Sequence, residues 1–131
     1  MREINEYSDR EIIGLYELGR LYYEMGIFHS AEKIFSGLVA VQAQNIPSNI
    51  GLGLVKLERG KYEEAEGCFR EALRNKDFEL EAQFGLVILF LATNELGRAR
   101  VLLSQMEKSF SDVRSDTILR NLGEALAELL T

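Results

Sequence analysis

The feature that most constrains this chain is its likeness to itself at an interval of 34 residues, the spacing that separates Gly26, Gly60 and Asn94. At that shift Leu18, Gly19 and Tyr22 fall on Leu52, Gly53 and Lys56, then on Leu86, Val87 and Phe90. Phe28 falls on Tyr62 and Leu96, Ala31 on Ala65 and Ala99, and Phe35 on Phe69 and Leu103. A fixed period of this length marks a stack of supersecondary units, each burying its apolar face only against its neighbours.

The columns have a direct physical reading. Gly26, Gly60 and Asn94 are residue types that tolerate positive φ, the conformation that ends one helix and reverses the chain into the next. Ala31, Ala65 and Ala99 are small, and with Gly19 and Gly53 they let two antiparallel helices approach closely. The chain has a single proline, Pro47, so little else interrupts helical stretches. Each unit is therefore expected to be a helical hairpin.

Local signals place the boundaries. Ser8 followed by Glu11 resembles a capping box and predicts a first helix over residues 9–25, paired with a second over 28–43. Ser48 is expected to cap a helix running to residue 58, which pairs with 61–74. Residues 78–92 and 95–109 make a third hairpin. Over residues 115–130, Ile118, Leu122, Ala125, Leu126 and Leu129 recur at helical spacing, as expected of a helix that covers the apolar end of a repeat stack.

On these residues the chain resembles the tetratricopeptide repeat proteins, with repeats at 12–45, 46–79 and 80–113. The first two copies read LGRLYYEMGIFHSAEKIF and LGLVKLERGKYEEAEGCF. Departures are Leu15 where the pattern favours a large aromatic, Val87 where glycine is usual, and the lack of a proline closing any repeat. The resemblance implies an all-α fold, three tandem hairpins forming a right-handed α-solenoid plus a C-terminal capping helix, as one domain over 1–131.

Composition narrows the function by exclusion. Fifteen Lys and Arg against 21 Asp and Glu give a net charge of −6, which argues against a nucleic-acid partner, because phosphate contacts need clustered cations. One cysteine and one histidine provide neither an internal disulfide nor a zinc site, and fit a reducing, cytoplasmic setting. The charged amino-terminal hexapeptide MREINE does not read as a signal peptide, and the longest strongly apolar run, 84–92, is too short for a membrane span. No catalytic residue, metal site or cofactor is expected. His29 reads as a solvated turn residue, Cys68 as a packed or half-exposed structural thiol, and Glu63, Glu64 and Glu66 as a solvated helix start, with Glu66 spaced to pair with Arg70.

Function must then come from a surface. The resemblance implies that the first helix of each hairpin lines a concave groove, with repeat positions 2, 5, 9 and 12 pointing into it. Those are Ile13, Tyr16, Arg20 and Tyr23; Pro47, Ile50, Leu54 and Leu57; and Glu81, Phe84, Ile88 and Leu91. Most are aliphatic or aromatic, so the predicted protein-binding groove consists of Ile13, Tyr16, Arg20, Tyr23, Ile50, Leu54, Leu57, Phe84, Ile88 and Leu91. Gly51 and Gly85 at repeat position 6 are expected to leave its wall low and admit a bulky guest. The carboxylate clamp that grips acidic chaperone tails in related proteins needs several Lys, Asn and Arg residues, and only Arg20 is present here.

The layout of YEMGIFHSAEKIF and of the Gly51 to Leu54 segment is also similar to the small chaperones of bacterial type III secretion. That resemblance implies a non-enzymatic protein that sequesters an apolar or amphipathic helix, or an extended apolar peptide, of a secreted needle or translocator subunit. The short segment before the first helix favours the needle-subunit branch. A self-associating scaffold or adaptor, homodimeric through its apolar helix 84–92, is the alternative.

Overall fold

The computed structural model describes residues 7–110, with side-chain surroundings up to residue 106. Six helices follow in order: α1 (Asp9–Glu24), α2 (Phe28–Val41), α3 (Ile46–Glu58), α4 (Tyr62–Ala72), α5 (Glu79–Ala92) and α6 (Leu96–Phe110), with one turn of 3-10 helix at Lys76–Phe78 before α5. The chain divides between Ala82 and Gln83 into two compact units. In the first, α1 packs on α2, α2 on α3, α3 on α4, and α1 also meets α3. The predicted helix over 115–130 lies outside the described residues.

The three turns at the 34-residue interval share one backbone pattern. Gly26, Gly60 and Asn94 have φ of 78°, 76° and 60°. The amides of the next residues, Ile27, Lys61 and Glu95, donate to the carbonyls of Tyr22, Lys56 and Phe90 at 2.8, 2.8 and 2.7 Å. The amides of Gly26, Gly60 and Asn94 themselves donate to Tyr23, Leu57 and Leu91 at 3.0, 3.1 and 3.2 Å. This paired arrangement satisfies the last carbonyls of α1, α3 and α5 in a left-handed turn. The helices that follow two of them, α2 and α4, start without any side-chain cap.

The other helix starts depend on side chains. Ser8 Oγ accepts the Glu11 amide at 3.2 Å, as its spacing predicts, and its hydroxyl donates to the Glu11 carboxylate at 3.3 Å. For α3 the sequence places the cap at Ser48, and the structure corrects this. Asn45 is the cap, its Oδ1 accepting the Ser48 amide at 3.2 Å. Pro47 occupies the first turn, where its missing N–H forfeits no helical hydrogen bond. Asn is as good a cap as Ser, and a start at Ile46 buries that side chain beside Ala72 and Ala82. Ser48 is left inside the helix, fully buried, with no hydrogen-bond partner for its hydroxyl among the described residues.

Two phenylalanine rings lock the first unit. A Cβ at Gly19 would stand 2.8 Å from the Phe35 ring, one at Gly51 also 2.8 Å from it, and one at Gly53 2.7 Å from the Phe69 ring. Phe35 and Phe69 are buried, so neither ring can swing away. Gly19 and Gly53 thus serve the close approach expected of them. Gly51 does not simply lower a groove wall: the space above it is already filled by Phe35.

An ion cluster joins α2 to α3 and α4. Glu32 on α2 accepts from Arg59 at 3.0 Å and from Lys61 at 3.1 Å, with Lys56 4.0 Å away and itself 3.3 Å from Glu64. The Glu32 and Lys56 side chains are only 16% and 13% exposed, so solvent screens this pair less than an open surface pair. Burial alone would raise the Glu32 pKa, but the Lys61 hydrogen bond and the charges of Lys56, Lys61 and Arg59 outweigh it and hold the carboxyl below its ordinary value.

In the second unit, α5 is apolar on nearly every side, and Phe84, Leu86, Val87, Leu89 and Phe90 are all buried. On α6, Ala99, Leu103 and Met106 are buried at helical spacing. The Arg98 guanidinium lies 4.2 Å from the centre of the Phe90 ring, a cation over an aromatic face.

Candidate functional site

The first unit contains a cleft of about 310 Å³. Its walls combine one face of α1, where Tyr16, Arg20, Tyr23 and Glu24 follow one another by helical turns, with one face of α3, where Pro47, Ile50, Gly51 and Leu54 do the same. The floor includes Phe35 of α2, and Phe78 and Glu81 stand beyond α3. The cleft residues lie beside the buried stripe of each helix, Ile12 and Gly19 on α1 and Leu52 and Val55 on α3, so packing of that stripe fixes the direction in which they face.

Aromatic contacts shape this wall. The Tyr16 ring is tilted against Phe35 with centroids 5.9 Å apart, and Tyr23 stands similarly to Phe28 at 5.6 Å. Partial burial pushes both tyrosine hydroxyls up from their ordinary pKa. At Tyr16 the Arg20 charge opposes this and Glu17 adds to it; at Tyr23 Glu58 adds to it. Both phenols are therefore neutral at physiological pH, and can donate or accept a hydrogen bond at the edge of an apolar surface. Arg20 lies 3.7 Å from Glu17 and 3.5 Å from Glu24, so its charge is matched along α1. Its guanidinium is not part of a basic clamp.

Of the residues predicted to line the groove, Tyr16, Arg20, Tyr23, Ile50 and Leu54 come together here. Leu57 is half-buried farther along α3, and Ile13 is 62% exposed on α1 outside the cleft lining. Phe84, Ile88 and Leu91 belong to the second unit, where Phe84 is 8% exposed, Ile88 41% exposed and Leu91 half-buried. Three cleft residues escape the periodic reading: Glu24, one position past Tyr23, and the aromatics Phe35 and Phe78. Phe35 occupies a core column, and only the two glycines facing its ring hint that it reaches the surface of α3. Phe78 is the last residue of the 3-10 turn, an isolated aromatic among Lys76, Asp77 and Glu79.

The residues set aside as structural are placed accordingly. Glu66 pairs with Arg70 at 2.8 Å, and Glu63 and Glu64 sit in the first turn of α4. Cys68 is half-buried; burial raises its pKa against the pull of Lys56, with Glu64 adding to the rise, which keeps it a thiol. No helix among the described residues is long and apolar enough to cross a membrane.

Comparison with known proteins bears on the fold. The family model for the tetratricopeptide repeat matches residues 50–113. The fold superimposes on the type III secretion translocator chaperone SycD of Yersinia enterocolitica with a TM-score of 0.84, at 21% identity, over 97% of this chain and 88% of that one. PcrH from Pseudomonas aeruginosa gives a TM-score of 0.85 at 22% identity over 95% of this chain and 94% of that one. PcrH in complex with the chaperone binding region of PopD gives 0.84 at 22% identity, over 95% and 93%. The chain thus matches these structures over most of their own length.

Proposed function

We propose that this chain, built from hairpins of the tetratricopeptide-repeat fold, is a non-enzymatic chaperone or adaptor of the type III secretion class. It holds an apolar segment of a partner protein, a secreted translocator or needle subunit, in the cleft of its first unit and works in the cytoplasm. The observation that carries this reading is the cleft itself. Seven apolar or aromatic side chains, Tyr16, Tyr23, Phe35, Pro47, Ile50, Leu54 and Phe78, converge on a space of about 310 Å³. That volume is at the small end for ligand sites, and suits a few side-chain anchors better than a large cofactor. The likeness to PcrH supports the reading, since PcrH is known in complex with the chaperone binding region of PopD.

Magnitudes are consistent with reversible capture. Three or four anchors buried at roughly 1.5 to 3 kcal/mol each contribute about 5 to 12 kcal/mol. Association and ordering cost about 4 to 15 kcal/mol, so micromolar affinity, about 8 kcal/mol, is reached when the anchors bury fully and the free cleft is already well ordered. Within the proposed site Tyr16, Tyr23, Ile50 and Leu54 supply contact area and Arg20 fixes the rim. Ile13, exposed on the first unit, is a secondary contact, and Ile88 is an exposed apolar side chain of the second unit. Leu57, Phe84 and Leu91 contribute mainly packing.

The test is co-expression of the full chain with candidate clients encoded near it, comparing wild type with Ile50→Glu/Leu54→Glu. Loss of co-purification with an unchanged helical CD spectrum supports the cleft. Undiminished capture by the folded variant overturns it. A second reading, a self-associating scaffold, draws on the exposed apolar face of α1 formed by Leu18, Leu21 and Met25. Light scattering separates the two: a monomer that becomes a heterodimer with its client rules out the scaffold.

A further inference from the structure

We propose that the segment held in the cleft carries a basic side chain beside its apolar anchors, and that Glu81 receives it. This rests on the cleft being the binding site. Three charged residues line that space: Arg20, Glu24 and Glu81. Arg20 lies within ion-pair distance of both Glu17 and Glu24, so the α1 side already carries one cation against two carboxylates. Glu81 adds a further negative charge, and among the described residues it has no ion-pair or hydrogen-bond partner. The rim is therefore net acidic, on a chain that is itself at −6.

In the free protein Glu81 is exposed and well hydrated. An apolar guest seated against Phe78 and Leu54 displaces water from around this carboxylate. Removing hydration from a charge is unfavourable unless an opposite charge or hydrogen-bond donor replaces it. A guest with Lys or Arg at that point supplies the replacement, whereas one with Asp or Glu adds repulsion. The apolar walls set the affinity, and Glu81 selects among apolar segments by their neighbouring charge.

The experiment uses the full-length protein and fluorescein-labelled synthetic peptides that share three leucine anchors and differ only in an intervening residue: Lys, Gln or Glu. Fluorescence anisotropy is read for wild type, Glu81→Gln and the uncharged cleft variant Ile50→Gln/Leu54→Gln, each checked for folding by CD. At low salt wild type is expected to bind the Lys peptide about three- to fivefold more tightly than the Gln peptide, the scale of a single exposed ion pair. The preference shrinks at high salt through screening and disappears in Glu81→Gln. Equal binding of all three peptides to wild type, or a Lys preference that survives Glu81→Gln, overturns the role of Glu81 while leaving the cleft intact. Unweakened binding to Ile50→Gln/Leu54→Gln overturns the cleft reading, and this inference with it.

Discussion

Replacing Gly53 with alanine tests the lock between α3 and α4. The added Cβ would stand 2.7 Å from one carbon of the Phe69 ring and 2.9 Å from the next. Ordinary carbon contacts are about 3.5 to 4.0 Å, so the overlap is roughly 1 Å. Phe69 is fully buried and has no route to solvent. Overpacking of this kind costs about 1 to 3 kcal/mol. Alanine in a helix interior returns about 0.5 to 1 kcal/mol relative to glycine, so the measured loss understates the clash. Gly67→Ala supplies the control, because Gly67 is exposed within α4 and a Cβ there meets nothing within 4 Å. The difference between the two variants isolates the packing cost, expected at about 1 to 3 kcal/mol in urea unfolding followed by far-UV CD. Equal stability of Gly53→Ala and Gly67→Ala refutes the argument. Adding Phe69→Leu to Gly53→Ala should cost less than the two single losses combined, because the smaller side chain makes room for the methyl group. The third hairpin already carries the larger residue on the first helix and the smaller on the second, with Val87 and Leu103 both buried.

Two further outcomes follow from the first unit. Ser48→Ala removes a buried hydroxyl that has no partner among the described residues and retains the Cβ, so it should raise stability by about 1 kcal/mol and the melting temperature by a few degrees; a lower melting temperature would reveal a hydrogen bond to Ser48. Glu32→Gln should cost about 1 to 2 kcal/mol at pH 7, because three cations lose their shared carboxylate. Since the folded pKa of Glu32 lies below its unfolded value, its contribution is fully present above the unfolded pKa of about 4.3 and fades as pH falls through the folded one. Denaturation curves of wild type and variant should therefore converge toward pH 3 to 4, and a gap independent of pH argues against the cluster.

Much of this fold was legible because its determinants are local and repeated. A residue that must adopt positive φ recurs at one interval, and the hairpins follow from it. The cap of α3 was misplaced because Asn45 and Ser48 carry the same capping chemistry, and only burial of Ile46 decides between them. The cleft was half legible: α1 and α3 present the expected faces, since helical spacing is a property of the sequence. Phe35 and Phe78 reach it by geometry between elements, which periodicity does not encode. Gly51 had the opposite fate, its apparent vacancy being filled from a neighbouring helix.

Phe35 has two occupations. Its ring is wedged over Gly19 and Gly51, setting the spacing of α1, α2 and α3, and the same ring forms part of the cleft floor. A guest resting on that ring presses on the joint of the unit, so the floor cannot be reshaped for a new client without resetting how three helices meet. Recognition can diversify only around the rim, at Tyr16, Arg20, Tyr23, Ile50, Leu54 and Glu81, where a side chain can change without moving a helix. Descendants of this chain that acquire different clients should keep one hard anvil beneath a changing set of jaws.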